Sequence, residues 1–366
     1  MSYLSVQSLE HSYGSVRVLD HVSFNVAEGE RLCLLGPSGC GKTTTLNAIA
    51  GFVETDGGRV VVRGEALTGL PPEKRNIGIM FQNYALFPHL TVFENVAFGL
   101  RMRREAEASV RDRVTDMLRL VKLSHAAKRF PKQLSGGEQQ RIAFARAIAI
   151  KPALLLLDEP FSNLDARLKV EMRNELLELL RPLKIATIMV THDQEEAMAI
   201  ADTIAVMRRG RIEQMGSARE IYRSPANLFV ASFIGESNVL EGRLRSVASG
   251  VATVDAGGVG PVMARHSGGL RSGDHVQIIV RPEDIRVGTR PACGTCAATN
   301  RFEAKLVDVT FLGNRTVIRT QIGEAPMVLS GDEQFASSLR GVQRGQSVYI
   351  DWASDRGLIV KKEEAQ

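Results

Sequence analysis

GPSGCGKT, residues 36–43, is the stretch from which the rest of the chain can be read. It fits the pattern G-x-x-x-x-G-K-[ST]. It follows a short apolar run, Arg31–Leu35, that reads as a buried strand, and it opens a helix over Thr43–Ala50 that Gly51 stops. In that setting the loop of Gly36, Pro37, Ser38, Gly39, Cys40 and Gly41 lets backbone N–H groups curl around phosphates. Lys42 adds a point positive charge, Thr43 offers a hydroxyl to Mg²⁺, Thr44 belongs to the same phosphate-binding set, and the helix dipole favours the anion.

Downstream, ALLLLDEP (153–160) carries four leucines without alternation, as expected of a strand covered on both faces in a parallel sheet. Two acids at the end of a buried strand need a use, because an uncompensated carboxylate there is costly. Asp158 is suited to hold Mg²⁺ through its water shell. Glu159, one residue on, is suited to polarise an attacking water. A helix after Asp165, a strand at 185–190, a helix from Gln194 and a strand at 203–207 continue an alternating α/β pattern. Upstream, Val22, Phe24 and Val26 alternate with Ser23 and Asn25, so residues 1–35 read as strands, and 59–63 as another. Residues 90–150 are helical in texture. Ser217 and Glu220 have capping-box spacing and start one more short helix.

The 366 residues suggest two domains, and 44% apolar content is enough for buried cores. No run of eighteen apolar residues exists, and the N-terminus has no secretory-signal pattern. The net charge of +5 permits nucleic-acid or membrane contact but argues for neither. Four cysteines, two of them in or beside the phosphate loop, fit a reducing compartment better than a disulfide framework. Past Gly235, glycines become frequent and strands short (VATV, VQIIV, RTVIRT, SVYIDW), so residues 236–366 read as an all-β barrel-like domain. Cys293 and Cys296 have metal or redox spacing without a second pair, and a flexible loop is the expectation there.

LSGGEQQR (134–141) is a second glycine-bearing helix start, and it makes the motif series specific. GPSGCGKT, Gln82 in MFQNYALFP, LSGGEQQR, LLLLDEP, SNLD and THDQEEA stand in the order found in the ATP-binding subunit of ATP-binding-cassette (ABC) transporters, which the chain resembles over residues 3 to about 234. The resemblance implies a P-loop NTPase cassette of α/β class: a RecA-like core with antiparallel β and helical subdomains over 1–235, the helical part at about 88–152. The β domain resembles the OB-like extension of maltose-, polyamine- and ferric-iron-type importer ATPases, through RPEDIRV (281–287) and FLGN (311–314), and is expected to serve regulation or dimerisation.

The same resemblance gives roles residue by residue. Two copies pair head to tail, each phosphate loop holding ATP while Ser135, Gly136, Gly137 and Glu138 of the partner cap it and Asp165 helps join the sites. Tyr13 stacks on adenine. Glu159 is the general base, His192 contacts the γ-phosphate, and Gln82 senses Mg²⁺ and the attacking water. Tyr84, Leu86, Phe87 and Pro88 form the groove for a permease helix. Glu138 stands where the family has glutamine, and Asn163 where close relatives often have alanine. Thiol alkylation at Cys40 is expected to block activity, with ATP protecting.

The implied function is a peripheral ATPase on the cytoplasmic face of the inner membrane, with ATP and Mg²⁺ as cofactors. Its implied partners are a second copy, two membrane permeases and, indirectly, a solute-binding protein; no nucleic acid is expected. LPPEKRNIGIMFQNYALFPHLTVFENVAFGLRMR and FIGESNVLEG most resemble the spermidine/putrescine group, with ferric iron, an aminoethylphosphonate or a sugar phosphate as alternative cargoes. The rival class is a soluble ABC ATPase acting on nucleic acid or ribosomes, for which the β domain would be the binder.

Overall fold

The structure is a computed structural model and describes residues 3–162, 164–248, 250–266, 268–291 and 299–362. Contacts divide the chain into two compact units, Met1–Glu220 and Ile221–Gln366.

In the first unit β1 (Leu4–Tyr13) and β2 (Val16–Val26) pair antiparallel, and Val22, Phe24 and Val26 are buried between exposed Ser23 and Asn25. β3 (Arg31–Leu35) runs into the phosphate loop and α1 (Lys42–Ala50), which Gly51 ends in the left-handed region at φ +90°. β4 (Gly57–Val62) and β5 (Glu65–Ala66) complete a four-stranded sheet in the order β2-β1-β4-β5. After β6 (Ile77–Met80) come α2 (Val92–Met102), α3 (Glu107–Leu120) and α4 (Gly136–Ala149). The helical segment thus breaks near Arg103–Ala106, where Arg104 turns left-handed at φ +61°, a break its charged texture did not announce.

β7 (Leu154–Asp158), α5 (Ala166–Leu180), β8 (Ala186–Thr191), α6 (Gln194–Ile200), β9 (Thr203–Arg208) and β10 (Arg211–Gly216) finish a six-stranded sheet ordered β10-β9-β3-β8-β7-β6. β7 pairs in parallel with β6 and β8, which explains its unbroken leucines: all four are 0% exposed. A fully buried leucine contributes roughly 1.5–3 kcal/mol. The two sheets share one core with α1 between them, Leu46 and Ile49 packing with Leu154, Leu156 and Leu4.

α7 (Ala218–Arg223) starts at the expected capping box, Ser217 N–H and hydroxyl both donating to Glu220 Oε2. The division between units falls between Glu220 and Ile221, ahead of the expected 235/236. The reason is α8 (Leu228–Phe233), whose Ala231 packs with Ile279, Leu358 and Val360. Those residues sit on strands of the second unit. There β11 (Asn238–Ala248), β12 (Val251–Asp255), β13 (Pro261–His266) and β14 (His275–Val280) form a closed barrel with a strand from far downstream. β15 (Arg286–Gly288), β16 (Thr299–Phe311), β17 (Thr316–Ile322), β18 (Ala325–Gly331) and β19 (Ser347–Ala353) form a five-stranded sheet, ordered β15-β19-β16-β17-β18. β20 (Gly357–Lys361) returns to close the barrel, parallel to β13 and antiparallel to β14. One apolar core centred on Trp352, Ile278 and Ile318 fills this unit. The expected sites at Cys293, Cys296 and Asn163 lie outside the described residues.

Candidate nucleotide site

Three parallel strands deliver the chemistry to one sheet edge. β3 ends in the phosphate loop, β7 in Asp158 and Glu159, and β8 leads to His192. Ligands of α/β sheets sit beyond these carboxyl ends. In the loop Gly41 takes φ +104°, and a Cβ there would lie 2.8 Å from Val18 O, so only glycine serves. No side chain caps α1, which leaves its first N–H groups to an anion. Lys42 is buried, and its Nζ donates to Gly36 O at 2.7 Å and Pro37 O at 2.9 Å, so its charge is held at the loop.

Thr43 Oγ1 donates to Asp158 Oδ1 at 3.3 Å. Burial pushes the Asp158 carboxyl up, and neighbouring Glu159 pushes the same way, against the Thr43 hydrogen bond. A desolvated carboxylate beside the Thr43 hydroxyl is a pair of hard oxygen donors, and such donors fit Mg²⁺. Glu159 is the hub of the remaining polar groups. Its Oε1 lies 3.1 Å from His192 Nδ1, and its Oε2 accepts from Gln82 Nε2 at 3.1 Å. With the Nδ1–H tautomer His192 donates to the carboxylate. Glu159 holds φ +43°, an uncommon conformation for a residue with a side chain, and its N–H is tied to Val190 O at 2.9 Å.

Tyr13 ends β1, 55% exposed as a residue, with its ring set edge-on to His11 at 4.5 Å between centroids. Ser135 is the N-cap of α4 and Asp165 of α5, the latter accepting from Leu168 N–H at 2.9 Å. Gly137 is buried against Met172, whose Sδ would lie 2.8 Å from any Cβ. Glu138 completes a capping box with Ser135.

Two expected residues sit differently from their reading. Tyr84 is 5% exposed, its hydroxyl is buried without a partner, and burial pushes its phenol pKa above the ordinary value, so it packs inward. Leu86 and Phe87 are half-buried, and Pro88 is exposed. Cys40 is 3% exposed and belongs to the core beneath the loop, and burial pushes its thiol up.

Sequence reasoning missed the groups that hold the segment after Gln82. Asn95, fully buried on α2, accepts from Phe87 N–H at 2.9 Å and donates to the carbonyls of Phe87, Leu90 and Thr91. Arg146 of α4 donates to Tyr84 O and Ala85 O at 2.8 and 2.7 Å and lies over the Phe87 ring. Tyr84 and Ala85 both take positive φ, +62° and +44°, so this loop is shaped against local preference by those bonds. A polar residue on the buried face of each helix was the available signal.

Comparison with known proteins agrees with this geometry. The model of the ABC transporter family matches residues 19–162, and that of the TOBE domain matches residues 278–360. The spermidine/putrescine import ATP-binding protein PotA of Vibrio cholerae is 47% identical over 366 residues, covering 99% of this chain and 95% of that protein. PotA of Legionella pneumophila is 42% identical over 325 residues, 89% of this chain and 88% of that protein. The structure of cbiO1 from Clostridium perfringens, part of the ABC transporter complex cbiONQ, aligns with a TM-score of 0.56 and 29% identity over 60% of this chain and 90% of that one. The chain belongs to the ABC transporter family, as an ATP-hydrolysing subunit whose cassette is followed by a TOBE domain.

Proposed function

We propose that this chain powers a polyamine importer, binding Mg-ATP at Lys42, Thr43 and Asp158 and hydrolysing it with Glu159. The observation that carries the chemistry is the Glu159 cluster, a carboxylate flanked by His192 and Gln82 at 3.1 Å each and one residue beyond Asp158. Glu159 takes a proton from water as its oxygen attacks the γ-phosphorus. The γ-phosphoryl group leaves ADP, and the products are ADP and inorganic phosphate. His192 orients the carboxylate, and Gln82 fixes its second oxygen. Bound Mg²⁺ supplies charge neutralisation on the phosphate oxygens. A positioned base contributes roughly 10²–10⁴-fold in rate.

The working unit is a homodimer in which Ser135 to Glu138 and Asp165 of one copy complete the ATP site of the other, with Tyr13 on the adenine. Leu86, Phe87 and Pro88 receive a permease helix. Two permeases hold the pair at the cytoplasmic face of the inner membrane, and a solute-binding protein delivers spermidine or putrescine. The similarity to spermidine/putrescine import ATP-binding proteins supports this cargo. Among the described residues no helix is long and apolar enough to cross a membrane.

The test is recovery of the tagged Glu159→Gln chain from its own cells in mild detergent with ATP present. Multi-spanning permeases should co-purify, and deleting their genes should abolish spermidine uptake. Recovery of ribosomal or nucleic-acid proteins without permeases would overturn the assignment. Permeases whose deletion spares polyamine uptake would overturn the cargo alone.

A further inference from the structure

Arg281 follows β14 and is 4% exposed. Its Nη1 donates to the carbonyls of Ala231, Gly235 and Glu236 and to Ser237 Oγ, and its Nη2 to Tyr222 O at 3.2 Å. The guanidinium carbon lies 4.3 Å from the centroid of the Tyr222 ring, whose hydroxyl donates to Glu283. Arg281 is thereby a fixed wall. It borders a cavity of about 220 Å³ lying within the second unit.

Three more guanidiniums line this cavity, those of Arg223, Arg265 and Arg356, against two carboxylates, Asp284 and Asp355. Asp284 is already committed: it is paired with Arg223 at 3.0 Å and Arg356 at 3.4 Å. No carboxylate lies within ion-pair distance of Arg265 or Arg281 among the described residues, and each has a buried Nε–H without an acceptor. Buried donors and buried charges in folded proteins are normally answered. Arg265 Nη2 donates to Arg223 O at 3.1 Å. With four arginines against two aspartates around one space, the lining has an excess of positive charge that suits a carboxylate or phosphate. Ile279 and Leu358 supply an apolar floor. The volume suits a small organic anion, since pockets for drug-sized ligands run to roughly 300–1,000 Å³.

We propose that this arginine-lined cavity binds a small anionic metabolite, an organic phosphate or a polycarboxylate, at a site separate from the phosphate loop. Arg265 and Arg356 grip the anionic group, while Arg281 fixes the wall.

The test is isothermal titration calorimetry on the full chain at physiological salt, with a non-hydrolysable ATP analogue saturating the phosphate loop. The probes are inorganic phosphate, glycerol phosphate and citrate. At least one probe should bind saturably, once per chain. Arg265→Gln and Arg356→Gln should each weaken it about tenfold or more, the loss of one charge-assisted contact. Arg319→Gln, an arginine elsewhere in the same unit, should leave it unchanged, with circular dichroism checking that each variant is folded. Preference for the phosphates over citrate, or the reverse, identifies the ligand class. No saturable binding of any probe would overturn the site, and so would equal weakening by Arg319→Gln and Arg265→Gln. Neither result bears on ATP hydrolysis, which is read separately.

Discussion

Glu138 folds back onto Ser135: its Oε2 accepts the Ser135 N–H at 2.8 Å and the hydroxyl at 3.0 Å, while Ser135 Oγ accepts the Glu138 N–H at 3.3 Å. The helix start proposed to grip the partner's nucleotide therefore carries an anion of its own. Cap and phosphate compete for the same donors, and their charges repel.

Glu138→Gln should lower the apparent KM for ATP by about three- to tenfold at low ionic strength, and added salt should narrow the gap. The Ser135 N–H leads in holding the Glu138 carboxyl below its ordinary range. Its charge therefore persists on mild acidification, and the gap should stay constant between about pH 6 and 8. An unchanged or raised KM, measured by steady-state phosphate release, would refute the competition.

Asp158 titrates in the opposite sense. Burial raises its folded-state value, so folding favours the protonated form, and stability is lost as pH rises through that value. Asp158→Asn should abolish Mg²⁺-dependent hydrolysis and yet raise the melting temperature of the nucleotide-free chain by about 2–4 °C, the shift that 1 kcal/mol brings in a domain of this size. Scanning fluorimetry at neutral pH decides it: a lower melting temperature would show that the ionised carboxylate stabilises the fold.

Cys40 should react slowly. Its thiol is buried and pushed above its ordinary value, so little thiolate exists at neutral pH. N-Ethylmaleimide should modify Cys40 far more slowly than a free thiol, faster as pH rises, and more slowly again with ATP bound. Activity loss should track labelling at this residue by mass spectrometry. Rapid labelling would place the thiol at the surface of the loop.

Asn95→Ala should cost about 2–4 kcal/mol in urea unfolding, because it strands the Phe87 N–H and the Leu90 carbonyl, whereas Phe87 O and Thr91 O keep backbone donors from Leu90 and residue 95. A loss below about 1 kcal/mol would mean that water replaces the amide.

The cassette was legible because its motifs sit where geometry demands particular residue types: glycine at Gly41, an acid pair closing a buried strand, a histidine after β8. Strand positions were legible from alternation, as in β2, and from the leucine run of β7. The clamps were not. Arg146 and Arg281 act on groups 44 to 62 residues away, nearly all of them backbone carbonyls, and such targets leave no spacing pattern. Asn95 reaches carbonyls four to eight residues back, in a loop without a regular period. The fate of Tyr84 and Cys40 was equally hidden, since a loop residue's burial depends on which helix covers it. The place of α8 was set by its packing on β14 and β20, whereas composition changes only after it.

Barrel closure by β20 also bears on synthesis. The sheet β14-β11-β12-β13 exposes two bare edges, at β13 and β14, until residues 357–361 arrive, and residues 281–356 are made in between. At about 5–20 residues per second that wait lasts several seconds on the ribosome. Unpaired edges over such a time invite pairing with another nascent chain. The interval before β20 emerges is thus where a chaperone would matter most for this protein, and slowed translation across residues 281–356 should raise the insoluble fraction.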